Sequence, residues 1–302
     1  MGEAMKIGFY LLGKKGFVAL AKFLKKFSSA HASFVVAARD SGVKDDFHDE
    51  IACLCSEYEI NFNTRGEVHE QGDNTADFSF AIGWRWIIKD ADGLIVFHDS
   101  LLPKYRGFSP LVNMLIDGVN EIGVTSLIAS NEYDKGDVIY QARKPISYPL
   151  KISEAIDQIT PLYAELVLKT ATDIIKSGAI KGTPQDETSA SYSLWRDERD
   201  YFINWDANAV EISRFVDAVG YPYRGAQASL NGVPVWVHDV ATVRDVIVEN
   251  RTSCIGKIIF IEDVYPVVVC GYGLIKITDL RSEDGSSILG HIKFRSRFEG
   301  SI

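Results

Sequence analysis

The chain has 302 residues, of which 46% are apolar and 24% are charged, and these proportions exclude a disordered or collagen-like chain. Its formal net charge is −9, so it matches bulk nucleic acid poorly, although one or two local cations would suffice for a ligand the size of a nucleotide. No apolar run reaches the roughly 18 residues that span a bilayer, and no signal-peptide core follows the start. We therefore expect a soluble, cytoplasmic protein without membrane contact.

The first half of the chain alternates short apolar runs with helical patterns. Apolar runs predict buried strands, whereas apolar residues spaced by three and four predict helices. A turn is predicted at residues 13–16 and a helical turn near Trp86. Strands are predicted at residues 6–12, 33–38, 60–63, 78–83, 94–98, 123–129 and 138–144, and helices at 17–27, 45–58, 111–117 and 152–177. This order favours an α/β fold with a doubly wound, mostly parallel sheet.

The last third of the chain differs in character. One amphipathic helix is predicted at 208–219, and four short β-rich runs follow at 233–240, 254–261, 264–270 and 274–280. Such spacing is typical of a small barrel or sandwich. We therefore expect three parts: a catalytic domain at 1–180, a polar linker at 181–207, and a small β-rich, barrel-like C-terminal domain at 208–302. The alternative for the linker is an ordinary long loop.

The four cysteines are few for this length, and their spacing does not suit a metal. Cys53 and Cys55 are too close for a usual zinc pair, whereas Cys254 and Cys270 have no paired histidine. We interpret all four as reduced thiols and expect no metal site.

One polar loop stands out, HDSLLPKYRGFSP at residues 98–110, directly after a predicted strand. In open parallel sheets, ligands bind beyond the carboxyl ends of the strands. His98 begins this loop, and an imidazole can take and give a proton near neutral pH. Asp134 follows in a later polar turn, and a carboxylate beside an imidazole fixes its tautomer and stabilises its charged form. A single histidine at a strand end is, by itself, more often structural.

The whole string resembles the formyltransferases that use 10-formyltetrahydrofolate. The resemblance depends on HDSLLPKYRG from His98, on GVT at 123–125 and on DKGD from Asp134. It covers about residues 5–180 and implies a Rossmann-like sheet in which His98 and Asp134 are catalytic. It also implies a folate site along the segment that consists of Trp84, Arg85, Trp86, Ile87 and Ile88. The alternative for the two tryptophans is ordinary core packing.

The predicted C-terminal domain at 208–302, the tail of the chain, is similar to the small second domain of methionyl-tRNA and sugar formyltransferases. The similarity depends on the stretch FVDAVGYPYRGA at residues 215–226. That match is looser than the match of the catalytic string.

The sequence departs from the family at Val96, where the family usually has an asparagine that holds the oxyanion. Loss of such a donor costs on the order of a hundred- to a thousand-fold in rate. Asn113 and Ser100 are candidate substitutes because they are close in sequence. The alternative for Asn113 is a polar residue on a helix surface. Val96 also raises the hypothesis of a catalytically silent binding protein.

Three amine acceptors are known in the family: methionyl-tRNA, a glycinamide ribonucleotide and a nucleotide-linked amino sugar. The predicted C-terminal domain is near neutral and the whole chain is acidic, which disfavours tRNA as the acceptor. Enzymes that act on a glycinamide ribonucleotide normally lack this second domain, so its presence disfavours that acceptor. The substrate-binding residues expected from the loop are Ser100, Leu101, Lys104, Tyr105, Arg106 and Gly107. Lys104 and Arg106 could meet a phosphate; the alternative is a solvated or structurally paired charge. Arg196, Arg199 and Trp205 could line the acceptor site, with linker packing as the alternative.

The leading hypothesis is therefore an enzyme that formylates the amino group of a dTDP-, UDP- or GDP-linked sugar, for a surface glycoconjugate such as lipopolysaccharide. We expect no nucleic-acid partner, and the β-rich runs of the tail would suit a homodimer interface. Methionyl-tRNA formylation, hydrolysis of the formylated folate and silent binding are the alternatives.

Overall fold

The computed structural model describes residues 4–66, 75–89 and 92–300. Two compact units divide the chain. The first comprises Met1–Leu111, Asn120–Ile146 and Ala155–Trp195, and the second comprises Val112–Val119, Ser147–Glu154 and Arg196–Ile302. The predicted domain boundaries at 180 and 208 stay a prediction.

Along the first 195 residues, the helices and strands follow the order that the apolar periodicity predicts, with two additional strands of two residues each. They are β1 (Ile7–Leu11), α1 (Gly13–Phe27), β2 (Ala32–Ala37), α2 (His48–Glu57), β3 (Asn61–Thr64), β4 (Phe78–Ile82), β5 (Leu94–His98), β6 (Arg106–Gly107), α3 (Pro110–Asp117), β7 (Glu121–Ile128), β8 (Val138–Pro145), α4 (Ile152–Ser177) and β9 (Tyr192–Ser193).

Seven of these strands form one sheet in the order β3-β2-β1-β4-β5-β7-β8. The first five strands pair in parallel, whereas β7 pairs antiparallel with both β5 and β8. β6 and β9 form a separate parallel pair that links the loop after β5 to residues 192–193. The predicted Rossmann-like, mostly parallel sheet is confirmed, and the end of β5 lies where such sheets bind ligands.

The second unit contains an antiparallel, half-barrel sheet of six strands, which confirms the small β-rich domain. The strand order is β12-β13-β14-β11-β10-β15. The elements are α5 (Ala209–Val219), β10 (Ala226–Leu230), β11 (Val233–Val243), α6 (Arg251–Cys254), β12 (Ile258–Glu262), β13 (Tyr265–Val269), β14 (Leu274–Arg281) and β15 (Phe298–Glu299). Asn208 caps α5 in a reciprocal capping box with Glu211.

Three local predictions are wrong. Residues 13–16 are the first turn of α1 rather than a separate turn, and Gly16 lets the helix pass close to Leu11. Residues 83–89 form no helical turn. The strand predicted from residue 254 begins only at Ile258, because Gly256 has a φ of 78° and interrupts the extended backbone.

All four cysteines are free thiols, as predicted. Burial raises the pKa of both Cys55 and Cys270 to about 12. Among the described residues, no helix is both long and apolar enough to cross a bilayer.

Candidate active site

His98 is the last residue of β5, and only 7% of it is exposed. Its Nε2 lies 2.8 Å from the backbone oxygen of Tyr105, in the loop that follows the strand. A carbonyl oxygen can only accept a hydrogen bond, so Nε2 holds a proton in this arrangement. Nδ1 is therefore the nitrogen that has a free lone pair in the neutral ring, and it is the atom that can take up a proton.

Asp134 lies in the turn between β7 and β8, with a φ of 54° in the left-handed region. Its Oδ2 accepts a 2.8 Å hydrogen bond from the backbone N–H of Gly107 and lies 3.5 Å from Nδ1 of His98. The structure thus brings the two predicted side chains together. A proton on Nδ1 would face the carboxylate, which stabilises the imidazolium form. The pair can therefore take up a proton from a neighbouring group.

The loop after His98 is held by buried hydrogen bonds. The hydroxyl of Ser100 donates to the backbone oxygen of Lys104 at 2.7 Å. The hydroxyl of Thr125, on the neighbouring strand β7, donates to the backbone oxygen of Ser100 at 2.6 Å and accepts from the N–H of Leu102 at 3.1 Å. The hydroxyl proton of Ser100 is therefore already used in a hydrogen bond within the loop. This contact disfavours Ser100 as the substitute oxyanion donor.

The other predicted loop residues differ in exposure. Lys104 is exposed, whereas Leu101 is half-buried against Gly123, at which a Cβ would collide with the leucine. Tyr105 has a φ of 58°, and its backbone oxygen accepts from His98. Gly107 has a φ of 100° that favours glycine, and its N–H donates to Asp134.

Arg106 is fully buried, and its five N–H donors are all used inside the first unit. Its guanidinium binds Glu187 through two hydrogen bonds of 2.7 and 2.9 Å. It donates to Oε1 of Gln185 at 3.1 and 2.9 Å and to the hydroxyl of Tyr192 at 3.3 Å. The structure therefore favours the structurally paired alternative for Arg106 over a phosphate contact.

A buried ion pair lies directly beside His98. The carboxylate of Asp99 pairs with Lys15, at the start of α1, and accepts a hydrogen bond from the hydroxyl of Tyr163. Burial by itself would raise the pKa of the Asp99 carboxyl, but Lys15 and Tyr163 outweigh it, so the pKa lies below its usual value. Sequence reasoning missed this group. The position of Lys15 just after β1, at the same edge of the sheet as the end of β5, is the signal that could have found it.

In the segment predicted to bind folate, the two tryptophans pack on each other and on neighbouring rings. The ring centroids of Trp84 and Trp86 are 5.1 Å apart, and Tyr10 lies 5.4 Å from Trp84. The guanidinium of Arg65 lies 4.1 Å from the ring centre of Trp86. The indole Nε1 of Trp84 is buried and has no hydrogen-bond partner among the described residues.

The other three residues of that segment, Arg85, Ile87 and Ile88, differ in their contacts and exposure. Nη1 of Arg85 lies 2.7 Å from the carboxylate of Asp40. Ile87 is 77% exposed, and Ile88 is half-buried. The segment thus contains one exposed isoleucine next in sequence to a half-buried tryptophan.

Val96 is half-buried and lies two residues before His98, so both side chains belong to the same face of β5. Asn113, its first candidate substitute, lies in the second unit. The amide oxygen of Asn113 accepts hydrogen bonds of 2.6 and 3.2 Å from Arg196. In the same unit Trp205 is 4% exposed and its ring centre lies 5.4 Å from that of Phe298, which favours packing over acceptor binding; Arg199 is exposed.

No group of three or more histidine, cysteine, aspartate or glutamate side chains in the described ranges is placed to hold a metal ion.

Comparison with known proteins identifies the family. The formyl transferase model matches residues 75–165, and the model of the formyl transferase C-terminal domain matches residues 197–295. Methionyl-tRNA formyltransferase from Syntrophomonas wolfei is 27% identical over 189 residues, which are 63% of this chain and 59% of that relative. The chain thus matches less than two thirds of the length of this relative.

Solved structures share the fold. An N-formyltransferase from Helicobacter canadensis, solved with folinic acid and dTDP-3-aminofucose, has a TM-score of 0.68 at 20% identity and covers 90% of this chain and 98% of its own. WlaRD, a sugar 3N-formyl transferase solved with dTDP and 5-N-formyl-THF, has a TM-score of 0.67 at 19% identity, with coverages of 91% and 98%. Because the two family matches together span well over half of the sequence, this chain belongs to the formyl transferase family.

Proposed function

We propose that the chain transfers the formyl group of 10-formyltetrahydrofolate to the amino group of a sugar linked to dTDP, UDP or GDP. The observation that supports this most directly is Nδ1 of His98 beside the carboxylate of Asp134, at the end of β5. The Helicobacter canadensis structure, which was solved with a folate and a nucleotide-linked amino sugar, supports both substrate classes.

The segment of Trp84, Trp86 and Ile87 fits a pterin ring, which is flat and has acceptor atoms at its edge. The buried Nε1 of Trp84 is an N–H donor without a partner among the described residues, and the exposed side chain of Ile87 supplies an apolar wall. When bound, a formylated folate supplies an electrophilic carbon whose oxygen gains negative charge as an amine attacks.

The protein would contribute proton transfer and charge stabilisation. Nδ1 of His98 takes the proton that the attacking amine must lose, because Nε2 is already bound to Tyr105. Asp134 then faces the imidazolium and stabilises it. His98 would return this proton to the folate nitrogen as the bond between that nitrogen and the formyl carbon breaks, so that tetrahydrofolate leaves. Val96 has no donor for the developing negative charge, so we assign the stabilisation of this charge to His98 once it is protonated. Lys104, which is exposed, is assigned to the phosphate in place of Arg106.

Methionyl-tRNA formylation is the second candidate, because the sequence relatives have that name. The net charge of −9 disfavours a polyanionic acceptor. We therefore place the sugar nucleotide first and expect no nucleic-acid partner.

The test is absorbance-monitored turnover of 10-formyltetrahydrofolate by the full-length protein, with a panel of dTDP-, UDP- and GDP-linked amino sugars and with methionyl-tRNA. We expect turnover with one amino sugar and none without an acceptor. Formylation of methionyl-tRNA alone would overturn the acceptor assignment. Consumption of folate without any acceptor would identify a hydrolase, and binding of folate without turnover would identify a silent homologue.

A further inference from the structure

Gln185 lies between the loop after His98 and the turn that contains Asp134. Its Nε2 donates to the backbone oxygens of Asp134 and Gly136, each at 2.7 Å. Its Oε1 accepts two hydrogen bonds from Arg106. The amide therefore uses its full capacity of two donated and two accepted hydrogen bonds.

Arg106 fixes which end of this amide faces Asp134. A guanidinium can only donate, so the atom that faces it must be Oε1, and Nε2 must face the two carbonyl oxygens. Glu187 holds the guanidinium in place through two further hydrogen bonds. Arg106 and the two carbonyl oxygens therefore determine the orientation of the Gln185 amide.

The turn that Gln185 holds determines where the Asp134 carboxylate lies. Asp134 has a left-handed backbone, which a non-glycine residue adopts only at some cost. Gly136 packs so closely on β7 that a Cβ there would collide with the backbone oxygen of Ile128. A small shift of this turn would move the carboxylate away from both Gly107 and His98.

We propose that Gln185 is a positioning residue for formyl transfer, which holds the Asp134 carboxylate against Nδ1 of His98 in the orientation that Arg106 imposes. This inference rests on the proposed catalytic roles of His98 and Asp134. A role in stability alone explains these contacts less well, because the backbone of Thr183 already anchors the same segment to β8. Thr183 and Val138 exchange two backbone hydrogen bonds of 2.9 and 2.8 Å.

The decisive variant is Gln185→Glu. A carboxylate still accepts from Arg106, but it cannot donate to the two carbonyl oxygens. We expect kcat to fall about ten- to a hundred-fold, the range for a displaced reacting group, with KM for folate unchanged. The matched control is Gln158→Glu, which adds the same charge on α4 at a half-buried position and should leave kcat unchanged.

A double variant separates positioning from the charge balance around Arg106. Gln185→Glu combined with Glu187→Gln returns the number of carboxylates beside Arg106 to its original value. We expect the melting temperature to recover towards that of the wild type while kcat stays low, because no N–H faces Asp134. Recovery of kcat in the double variant, or unchanged kcat in Gln185→Glu, would overturn the inference. Failure of both variants to fold would overturn it as well, because Gln185 would then be structural.

A second readout does not need turnover. In protein with ¹⁵N-labelled histidine, the Nδ1 resonance of His98, assigned through its loss in His98→Gln, reports the nearby carboxylate. We expect it to shift in Gln185→Glu and to stay unchanged in Gln158→Glu. If the wild type formylates none of the acceptors, the proposed function fails, yet this resonance still decides whether Gln185 positions Asp134; an unshifted resonance would overturn the inference.

Discussion

Nδ1 of His98 lies 3.5 Å from Oδ2 of Asp134, although one residue ends β5 and the other lies in the turn between β7 and β8. The other ring nitrogen, Nε2, donates a hydrogen bond to the backbone oxygen of Tyr105. Any proton that the ring gains is therefore delivered to the side that faces the carboxylate.

Replacement of His98 tests this assignment. We expect His98→Gln to lower kcat by about a hundred- to ten-thousand-fold while folate binding persists, because the variant removes the proton acceptor. His48→Gln is the matched control, since His48 is 5% exposed and both its ring nitrogens lie near hydrogen-bonding groups outside the site. Turnover and folate affinity are measured for both. Near wild-type turnover in His98→Gln would remove His98 from the mechanism.

Val96→Asn tests whether a missing donor limits the rate. Ser100 donates its hydroxyl proton to Lys104, and Asn113 lies in the second unit, where its amide oxygen accepts from Arg196, so neither is assigned to the oxyanion. We therefore expect the variant to fold and kcat to rise by about tenfold or more. Unchanged kcat would show that another group already stabilises the oxyanion.

Two adjacent lysines test the buried ion pair. Lys15 and Asp99 are nearly buried, whereas Lys14 and Asp157 form an exposed pair. We expect Lys15→Met to lower the free energy of unfolding by about 2–3 kcal/mol, because Asp99 would be left as an unpaired buried charge. Lys14→Met should cost less than about 0.5 kcal/mol.

The pH dependence of the Lys15→Met effect follows from the lowered pKa of Asp99. A carboxyl with a lowered pKa stabilises the fold above its unfolded value of 3.8, and this stabilisation is lost as the pH falls through the folded value. The difference between Lys15→Met and wild type in denaturant unfolding should therefore shrink in acid. Equal effects of the two lysine variants at neutral pH would contradict the buried ion pair.

The fold could be predicted from sequence where it depends on local periodicity. The apolar run that ends at His98 predicts β5, and the apolar repeat predicts α4 with its observed bounds, Ile152–Ser177. The two-residue strands β6 and β9 could not be predicted, because so short a pair has no periodicity.

The surroundings of the site depend on tertiary contacts that no local pattern contains. A charged residue in a Gly-containing loop indicates solvent exposure, yet Arg106 is fully buried. Its partners Gln185 and Glu187 come from a polar segment that was predicted to be a linker. The pairing of β6 with β9 brings this segment to the loop.

Asp217, on α5 in the second unit, provides a separate pH test. Burial raises the pKa of its carboxyl to about 6; Lys151 opposes this effect, whereas Asp239 and Glu154 add to it. The folded protein therefore binds more protons than the unfolded chain between the usual value of 3.8 and about 6, and the free energy of unfolding falls as the pH rises through this window.

Asp217→Asn should remove this pH-dependent cost. At pH 7 we expect the variant to raise the free energy of unfolding by about 1 kcal/mol, a value reduced for solvent screening of a half-exposed group. Below pH 4, where the carboxyl is protonated in the folded protein, the gain should disappear. The exposed Asp206 supplies the control Asp206→Asn, and denaturant unfolding at both pH values is the measurement. A gain that is independent of pH would contradict the raised pKa.

The fate of the formyl carbon tests the central claim most directly. The protein is incubated with 10-formyltetrahydrofolate labelled with ¹³C in the formyl group and with the amino sugar nucleotide that supports turnover, and the product is followed by NMR. We expect the label in a formamide on the nitrogen of the sugar, and no such signal with His98→Gln. Release of the label as free formate, or an equal formamide signal from His98→Gln, would contradict the account.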